Sequence, residues 1–466
     1  MPSRAARRVL LALALALAAG GCEDRPRDAP PVILISLDTL RRDGLGPYRQ
    51  GRPSVTPHLD AFAAGAAVFH DAYAQIPFTL PSHMSMFTGL QPDVHGVTTR
   101  TRRLDDKIPT LPQLLWTAGY ATHGVVTNLL VSGRFGFARG FEGYHELDRG
   151  LTYAGRVVAR TQAILSGLEA GRPVFLFLHF MDPHSDFSQL DANTLPYYSP
   201  AAYRRDLHAD ELGREFCDAA DHCASAFLMV ADREERALSP RQLEQIARLY
   251  DAGLRYLDAE LGRLFEMFER AGLYDDALIV LTSDHGEEFR EHGQFLHAQA
   301  YTETAAVPLL IKFPGGAYAG RRVDGLVESV DLLPTVLDVL GLPVPAAVQG
   351  RSLLPLVRDG KPVREVALSR EKPETGRYVL RTGHYTLVAQ PGSERVELYD
   401  RADDPGERRD RSADQPDRVR ELRQRLEALW ADNRRRARAL AATPEAGGRV
   451  LTRQEEAELR SIGYLE

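Results

Sequence analysis

Four stretches of the chain carry side chains of metal-ligand or nucleophile type. They are Asp38; Thr79; Asp182 with His184; and Asp284 with His285, followed closely by His292 and His297. A single Asp-His pair means little, because a loop histidine is usually solvated. Here, though, each stretch ends an apolar run of strand type or opens a helix, so all four are expected at one edge of a sheet. Carboxylate and imidazole donors suit one divalent metal, Zn²⁺ or Mn²⁺ first, with Ca²⁺ also admitted. No cysteine spacing points to a soft-metal site. The chemistry that needs a hydroxyl among such donors is transfer of a tetrahedral oxyanion, in which a metal lowers the pKa of the hydroxyl and offsets charge on the transferred group. On this reading Asp38, Asp284 and His285 hold the metal and Thr79 completes the shell as nucleophile. His184 and His297 then contact the group's oxygens or protonate the leaving group.

Thr79 lies in Pro77-Phe78-Thr79-Leu80-Pro81-Ser82-His83, a loop entering a helix that Gly89 closes. A helix N-terminus favours an anion. The competing role for Thr79 is a plain helix cap.

The elements that must position these residues alternate. Val32–Leu37, Val68–Ala74, Ala121–Thr127, Val174–His179, Ala277–Thr282 and Val307–Phe313 read as strands, several of them continuous apolar runs of the buried, parallel kind. Between them, Thr56–Gly65, Thr110–Gly119, Arg156–Gly171, Pro240–Ala271 and Leu332–Gly341 have helical spacing. Residues 185–240 read as a loop-rich insertion. This pattern predicts a doubly wound α/β domain over 31–365, with ligands at the carboxyl ends of strands. Short strands from Glu365 to Tyr399 and a helix over Asp417–Trp430 then predict a small α+β subdomain over 366–435, with 436–466 as a tail.

The N-terminus has the form of an export signal over 1–21. Arg4, Arg7 and Arg8 precede an apolar run from Val9 to Ala19, then Gly20-Gly21-Cys22. Cysteine after Ala-Gly-Gly resembles the bacterial lipoprotein signal, which implies lipidation at Cys22, a tether over 22–30 and a lipid-anchored protein of the bacterial cell envelope. The alternative is ordinary secretory cleavage nearby. Cys217 and Cys223 are six apart and could pair in an oxidising compartment or stay independent thiols. A net charge of −7 over 466 residues gives no basic face for nucleic acid.

The ordered motifs together resemble the sulfatase family of the alkaline phosphatase superfamily. They include Leu34-Ile35-Ser36-Leu37-Asp38-Thr39, Thr79-Leu80-Pro81-Ser82-His83, Met181-Asp182-Pro183-His184, Thr282-Ser283-Asp284-His285-Gly286-Glu287, Ser329-Val330-Asp331-Leu332-Leu333-Pro334-Thr335 and Asp404-Pro405-Gly406-Glu407. The resemblance implies an alkaline-phosphatase-like fold with a metal at the strand ends. The departures are chemical. Sulfatases carry, at the position of Thr79, a cysteine or serine that is converted to formylglycine, and threonine cannot become that aldehyde. His83 stands where the family has arginine, Thr39 where it has a second aspartate, His285 where it has asparagine, and His297 where it has a lysine. Its Lys-x-x-His region reads Thr127-Asn128.

The set Asp38, Thr79, Asp284 and His285 is instead similar to that of phosphoethanolamine transferases and lipoteichoic acid synthases. A second metal, as in nucleotide pyrophosphatases, would have to recruit Asp182, His184 and His297. The motifs also imply that His83, Asn128, Asp182, His184 and His297 line the site, the last four toward substrate. The expected activity is hydrolysis of phosphate-type esters (diesters, monoesters or phosphonates) of a small molecule, glycan or lipid, with membrane contact through the lipid. Two alternatives stand beside it: a sulfatase working without formylglycine, and a binding lipoprotein that has lost catalysis.

Overall fold

The computed structural model describes residues 29–49, 51–99, 102–147, 154–185, 200–206, 216 and 225–440. The export signal, Cys22, Cys217, Cys223 and the stretch after Leu440 lie outside the described residues. Strands run in the order β1 (Val32–Leu37), β2 (Ala67–Tyr73), β3 (Ala121–Val126), β4 (Gly143–Glu146), β5 (Val174–Phe180), β6 (Leu278–Thr282), β7 (Glu288–Phe289), β8 (Phe295–Leu296), β9 (Leu309–Lys312) and β10 (Arg322–Glu328). Eight of them form one sheet in the order β10-β2-β9-β6-β1-β5-β3-β4, and β7 pairs with β8 apart from it. Only β9 runs against its neighbours β2 and β6. Central β1 pairs in parallel with β5 and β6, in registers that place Ser36 beside His179 and Thr282.

Both faces of the sheet are covered, which is why the central strands are apolar at every position. Val32 and Leu34 pack on one side with Phe175, Phe177, Leu278 and Val280, beneath the helices Thr79–Thr88 and Leu332–Val339. Ile33, Ile35 and Leu37 pack on the other side with Leu176, Leu178 and Ile279, against the long helix Pro240–Arg270. The period of two then carries Ser36 and His179 onto the face of the Thr79 helix, where polar groups replace the core as the strands end.

A second sheet, β11 (Ala367–Arg370), β12 (Tyr378–Arg381), β13 (Tyr385–Ala389) and β14 (Val396–Asp400), is antiparallel throughout. Its helix spans Pro416–Leu440, well past the expected end at Trp430 and across the boundary expected at 435. The extension is Arg-rich, and Asp432 bridges Arg435 and Arg436 one turn on. Apolar spacing alone misses such a helix. The expected loop-rich insertion contains helices at Ala201–Asp206 and Ser225–Arg233. Among the described residues, no helix is long and apolar enough to cross a membrane.

Candidate active site

Asp38 is the first residue past β1 and is fully buried. Its Oδ2 accepts from Asn128 Nδ2 at 3.0 Å and lies 3.3 Å from His179 Nε2. Oδ1 makes no hydrogen bond to any described residue. Asn128 is fixed in turn, because its Oδ1 accepts from Leu130 N at 2.9 Å. Burial by itself would raise the Asp38 carboxyl. The His179 hydrogen bond and the neighbouring His184, His179 and His285 rings instead hold it well below the usual carboxylate range.

Asp284 and His285 follow β6 and are equally buried. Asp284 Oδ1 accepts from Thr39 N at 3.1 Å and His285 N at 2.9 Å, which leaves Oδ2 without a hydrogen bond among the described residues. Burial first, and then the charge of Asp38, push the Asp284 carboxyl well above its usual range. Two carboxylates in this position cannot both be charged cheaply unless a cation lies between them. Burial takes His285 down to about 4, so its imidazole is neutral near pH 7. Its Nδ1 faces Gly286 O at 3.0 Å, and a carbonyl only accepts. Nδ1 therefore bears the proton and Nε2 the lone pair, the tautomer a metal ligand needs. Gly286 is required by close approach, since a Cβ there would meet Glu303 O at 2.1 Å.

Thr39, between Asp38 and Leu40, has φ of 56°, a left-handed conformation that is strained for a β-branched residue. Tyr250, from the long helix, holds it by donating to Thr39 O at 2.9 Å, and the turn delivers Thr39 N–H to Asp284.

Thr79 is the first residue of its helix. The capping position belongs to Phe78, with no side-chain cap, and Thr79 Oγ1 is buried without a hydrogen bond to any described residue. The capping role is therefore not the one Thr79 performs. His83 Nδ1 donates to Thr79 O at 2.8 Å and lies 3.6 Å from Asp284 Oδ2, so one imidazole nitrogen sits between the Thr79 backbone and the second carboxylate. Its Nε2 then accepts from Ser36 Oγ at 2.8 Å. Burial lowers this ring to about 3. With both nitrogens engaged, His83 orients the helix start and has no nitrogen left for a substrate oxygen. Ser82 Oγ adds a 2.6 Å bond to Asp284 O.

The remaining expected residues surround this centre. His297 lies over His285, ring centroids 4.4 Å apart, and 5.3 Å from His184. His297 Nδ1 is 3.3 Å from the fully buried Glu287, and His184 Nδ1 donates to Ser185 O at 2.9 Å. Burial lowers His184 and keeps it neutral. Asp182 faces elsewhere: its Oδ1 accepts from Ala154 N at 2.9 Å, at the start of the Ala154–Ser166 helix. His292 is set against Tyr301 and Glu303, away from the centre.

Asp38, Asp284 and His285 are, among the described residues, the one group of three whose ligand atoms all lie within 4.8 Å of one another. Asp38 Oδ1, Asp284 Oδ2 and His285 Nε2 are buried and make no hydrogen bond to a described residue. Polar atoms so placed are costly unless a partner binds them, so the donor set fits a divalent cation. A second centre from Asp182, His184 and His297 does not assemble in this way. Sequence reasoning assigned no role to His179 and Glu287, the groups behind Asp38 and His297. The available signal was a lone histidine one residue before the end of the otherwise apolar β5.

A doubly wound sheet with acidic and imidazole donors gathered past its central strands defines a hydrolase of the alkaline phosphatase superfamily. Residues 30–342 match the family model described as Sulfatase, and residues 290–433 match that of the N-sulphoglucosamine sulphohydrolase C-terminal region. The chain belongs to the sulfatase family. The multifunctional alkaline phosphatase superfamily protein PehA of Trinickia caryophylli is 33% identical over 205 residues, 41% of this chain and 39% of that protein. The match therefore spans well under half of that relative. Arylsulfatase K of Homo sapiens is 25% identical across 90% of this chain and 86% of its own length. The phosphonate monoester hydrolase of Agrobacterium radiobacter shares the fold, with a TM-score of 0.69 at 22% identity over 87% of this chain and 96% of that one.

Proposed function

We propose that this enzyme hydrolyses phosphate-type esters (phosphodiesters, monoesters or phosphonates) with Thr79 as the nucleophile. The observation that carries the reading is the Thr79 hydroxyl. It is buried and makes no hydrogen bond to a described residue, at a helix start bound through His83 and Ser82 to Asp284. A divalent cation held by Asp38, Asp284 and His285 would favour the ionised threonine hydroxyl and offset charge on the transferred group. Thr79 Oγ1 loses its proton to solvent and bonds to phosphorus as the bond to the leaving oxygen breaks. His297, with the Glu287 carboxylate behind it, supplies the proton that the leaving oxygen takes up. Water then attacks phosphorus as the bond between Thr79 Oγ1 and phosphorus breaks; one proton of that water goes to Thr79 Oγ1, the other stays on the product, and His297 is reprotonated from solvent. His184, neutral and fixed through Ser185, orients the group's oxygens.

Phosphate is preferred to sulfate because a sulfated threonine lacks the elimination route open to an aldehyde hydrate, whereas a phosphothreonine can be cleared by water. The phosphonate monoester hydrolase activity of a structural relative supports this choice. The 25% identity to an arylsulfatase favours the second reading, sulfate-ester hydrolysis. Metal analysis of the purified protein, followed by aryl phosphate monoesters, diesters, phosphonates and sulfates in parallel, decides between them. Turnover of sulfates alone would overturn the first reading. We further propose lipid attachment at Cys22 in a bacterial envelope. Cys22→Ser should move the protein from the membrane to the soluble fraction, and unchanged membrane association would contradict it.

A further inference from the structure

Glu287 and His297 flank a very small ribbon. Glu287 runs directly into β7 and His297 directly follows β8, and these strands pair only through Glu288 with Leu296 and Phe289 with Phe295. Two residues a side cannot hold themselves, so where Glu287 and His297 stand depends on what grips the ribbon. One grip is Asp232, from the helix Ser225–Arg233, which accepts from Arg290 Nε at 3.1 Å and from Phe295 N at 2.6 Å. Another is Arg41, three residues past Asp38. Arg41 is buried, and every guanidinium nitrogen is engaged. Nε and Nη2 fork onto the Asp43 carboxylate, each at 2.8 Å. Nη1 donates to Glu287 O at 2.9 Å and to Glu291 Oε1 at 2.7 Å. The other Glu291 oxygen accepts from Phe289 N at 2.5 Å, which carries the hold along β7, and the guanidinium lies over the Phe289 ring, 4.8 Å from its centroid. The main chain of Arg41 belongs to the metal-site turn. Its N–H donates to Tyr250 Oη at 2.9 Å, and that hydroxyl donates to Thr39 O at 2.9 Å.

We infer that Arg41 is a positioning residue for proton transfer to the leaving oxygen. Its backbone moves with the turn that carries Asp38, and its side chain fixes the start of the ribbon that carries Glu287 and His297. The arginine thereby sets the proton donor at a constant distance from the metal ligands, without meeting the ester itself. The planar fork matters as well as the charge, because it binds Asp43, Glu291 and a carbonyl at once, which an ammonium on a flexible stem does not reproduce. The inference rests on the reading that His297 protonates the leaving oxygen across from Thr79.

The test compares esters that share one transferred group and differ in how much the leaving oxygen needs a proton. A 4-nitrophenolate leaves without one, whereas an alkoxide does not. Metal-loaded parent, Arg41→Lys, Glu291→Gln and His297→Ala are assayed with aryl and alkyl phosphodiesters, and with the matching sulfates in parallel. Arg41→Lys should lower kcat/KM about ten- to a hundredfold for the alkyl ester and less than about threefold for the nitrophenyl ester. The slope of log rate against leaving-group pKa then steepens. Glu291→Gln should shift the slope in the same direction by less, and it decides the matter if Arg41→Lys does not fold. Metal affinity, read by competition with a chelator, should stay within about threefold of the parent, because the variants leave the backbone hydrogen bond to Tyr250 in place. A slope that steepens in His297→Ala but not in the Arg41 and Glu291 variants would overturn the inference and leave His297 as the proton donor. So would a loss of metal affinity in Arg41→Lys that matches an equal loss of rate for every ester. A His297→Ala protein whose slope equals the parent's would remove the proton donor, and the inference with it.

Discussion

Asp284→Asn separates the two things that the Asp284 carboxyl does. In the metal-free protein it is a burden: burial and the charge of Asp38 push its pKa well above the usual range. A group raised in the folded state contributes stability below its unfolded pKa, near 3.8, and loses that contribution as pH rises through the folded value. Near pH 7 an asparagine of the same shape escapes this penalty. It can still accept from Thr39 N and His285 N through one oxygen. Metal-free Asp284→Asn should therefore be at least as stable as the parent. With metal the order reverses. At a concentration of 100 times Kd, a bound ion stabilises the parent by about 2.7 kcal/mol. Losing one partner of a buried charge pair costs about 3–5 kcal/mol, near a thousandfold in affinity. The same concentration would then add less than about 0.1 kcal/mol to the variant. Urea unfolding of both proteins, with chelator and with Zn²⁺ or Mn²⁺, reads all four values. An Asp284→Asn protein with the parent's full metal-induced gain would refute the assignment of Asp284 as a ligand.

Other residues give independent checks. Asn128→Ala removes the 3.0 Å bond that fixes Asp38 and should weaken metal binding about ten- to a hundredfold; an unchanged metal titration would show that Asn128 does not orient the ligand. Asp182 is raised to about 7 by burial, with Glu260 adding to the shift. Its contribution to stability is present below pH 3.8 and lost as pH rises to about 7. Asp182→Asn should therefore match the parent near pH 4 and exceed it above pH 7, by at most about 4 kcal/mol at roughly 1.4 kcal/mol per unit. Parallel stability curves across that range would show that Asp182 is not held neutral.

The sheet was legible where burial on both sides forces unbroken apolar strands, as in β1, β5 and β6. It was not legible at the margins. β10 reads Arg-Val-Asp-Gly-Leu-Val-Glu, an edge strand with exposed charges, and β4 is partly exposed along most of its length. That Asp38, Asp284 and His285 come together was legible, because strand ends are where such folds gather polar side chains. Their supports were not. Whether His83 faces substrate or Ser36, and whether Asn128 touches a ligand or Asp38, depends on side-chain direction across strands distant in sequence. The Thr79 cap was a fair expectation from residue type. The structure gives that position to Phe78 and leaves the hydroxyl for other work.

The central claim is a covalent bond to Thr79, and intact-mass spectrometry tests it most directly. The metal-loaded protein is mixed briefly with a slow phosphodiester, quenched in acid and mapped by peptide. The expected result is a phosphoryl or substituted phosphoryl adduct on the peptide carrying Thr79. Thr79→Ala should lack the adduct and turnover while keeping its metal, and Thr79→Ser should keep part of both. A Thr79→Ala protein that turns over the same ester at the parent's rate would contradict it.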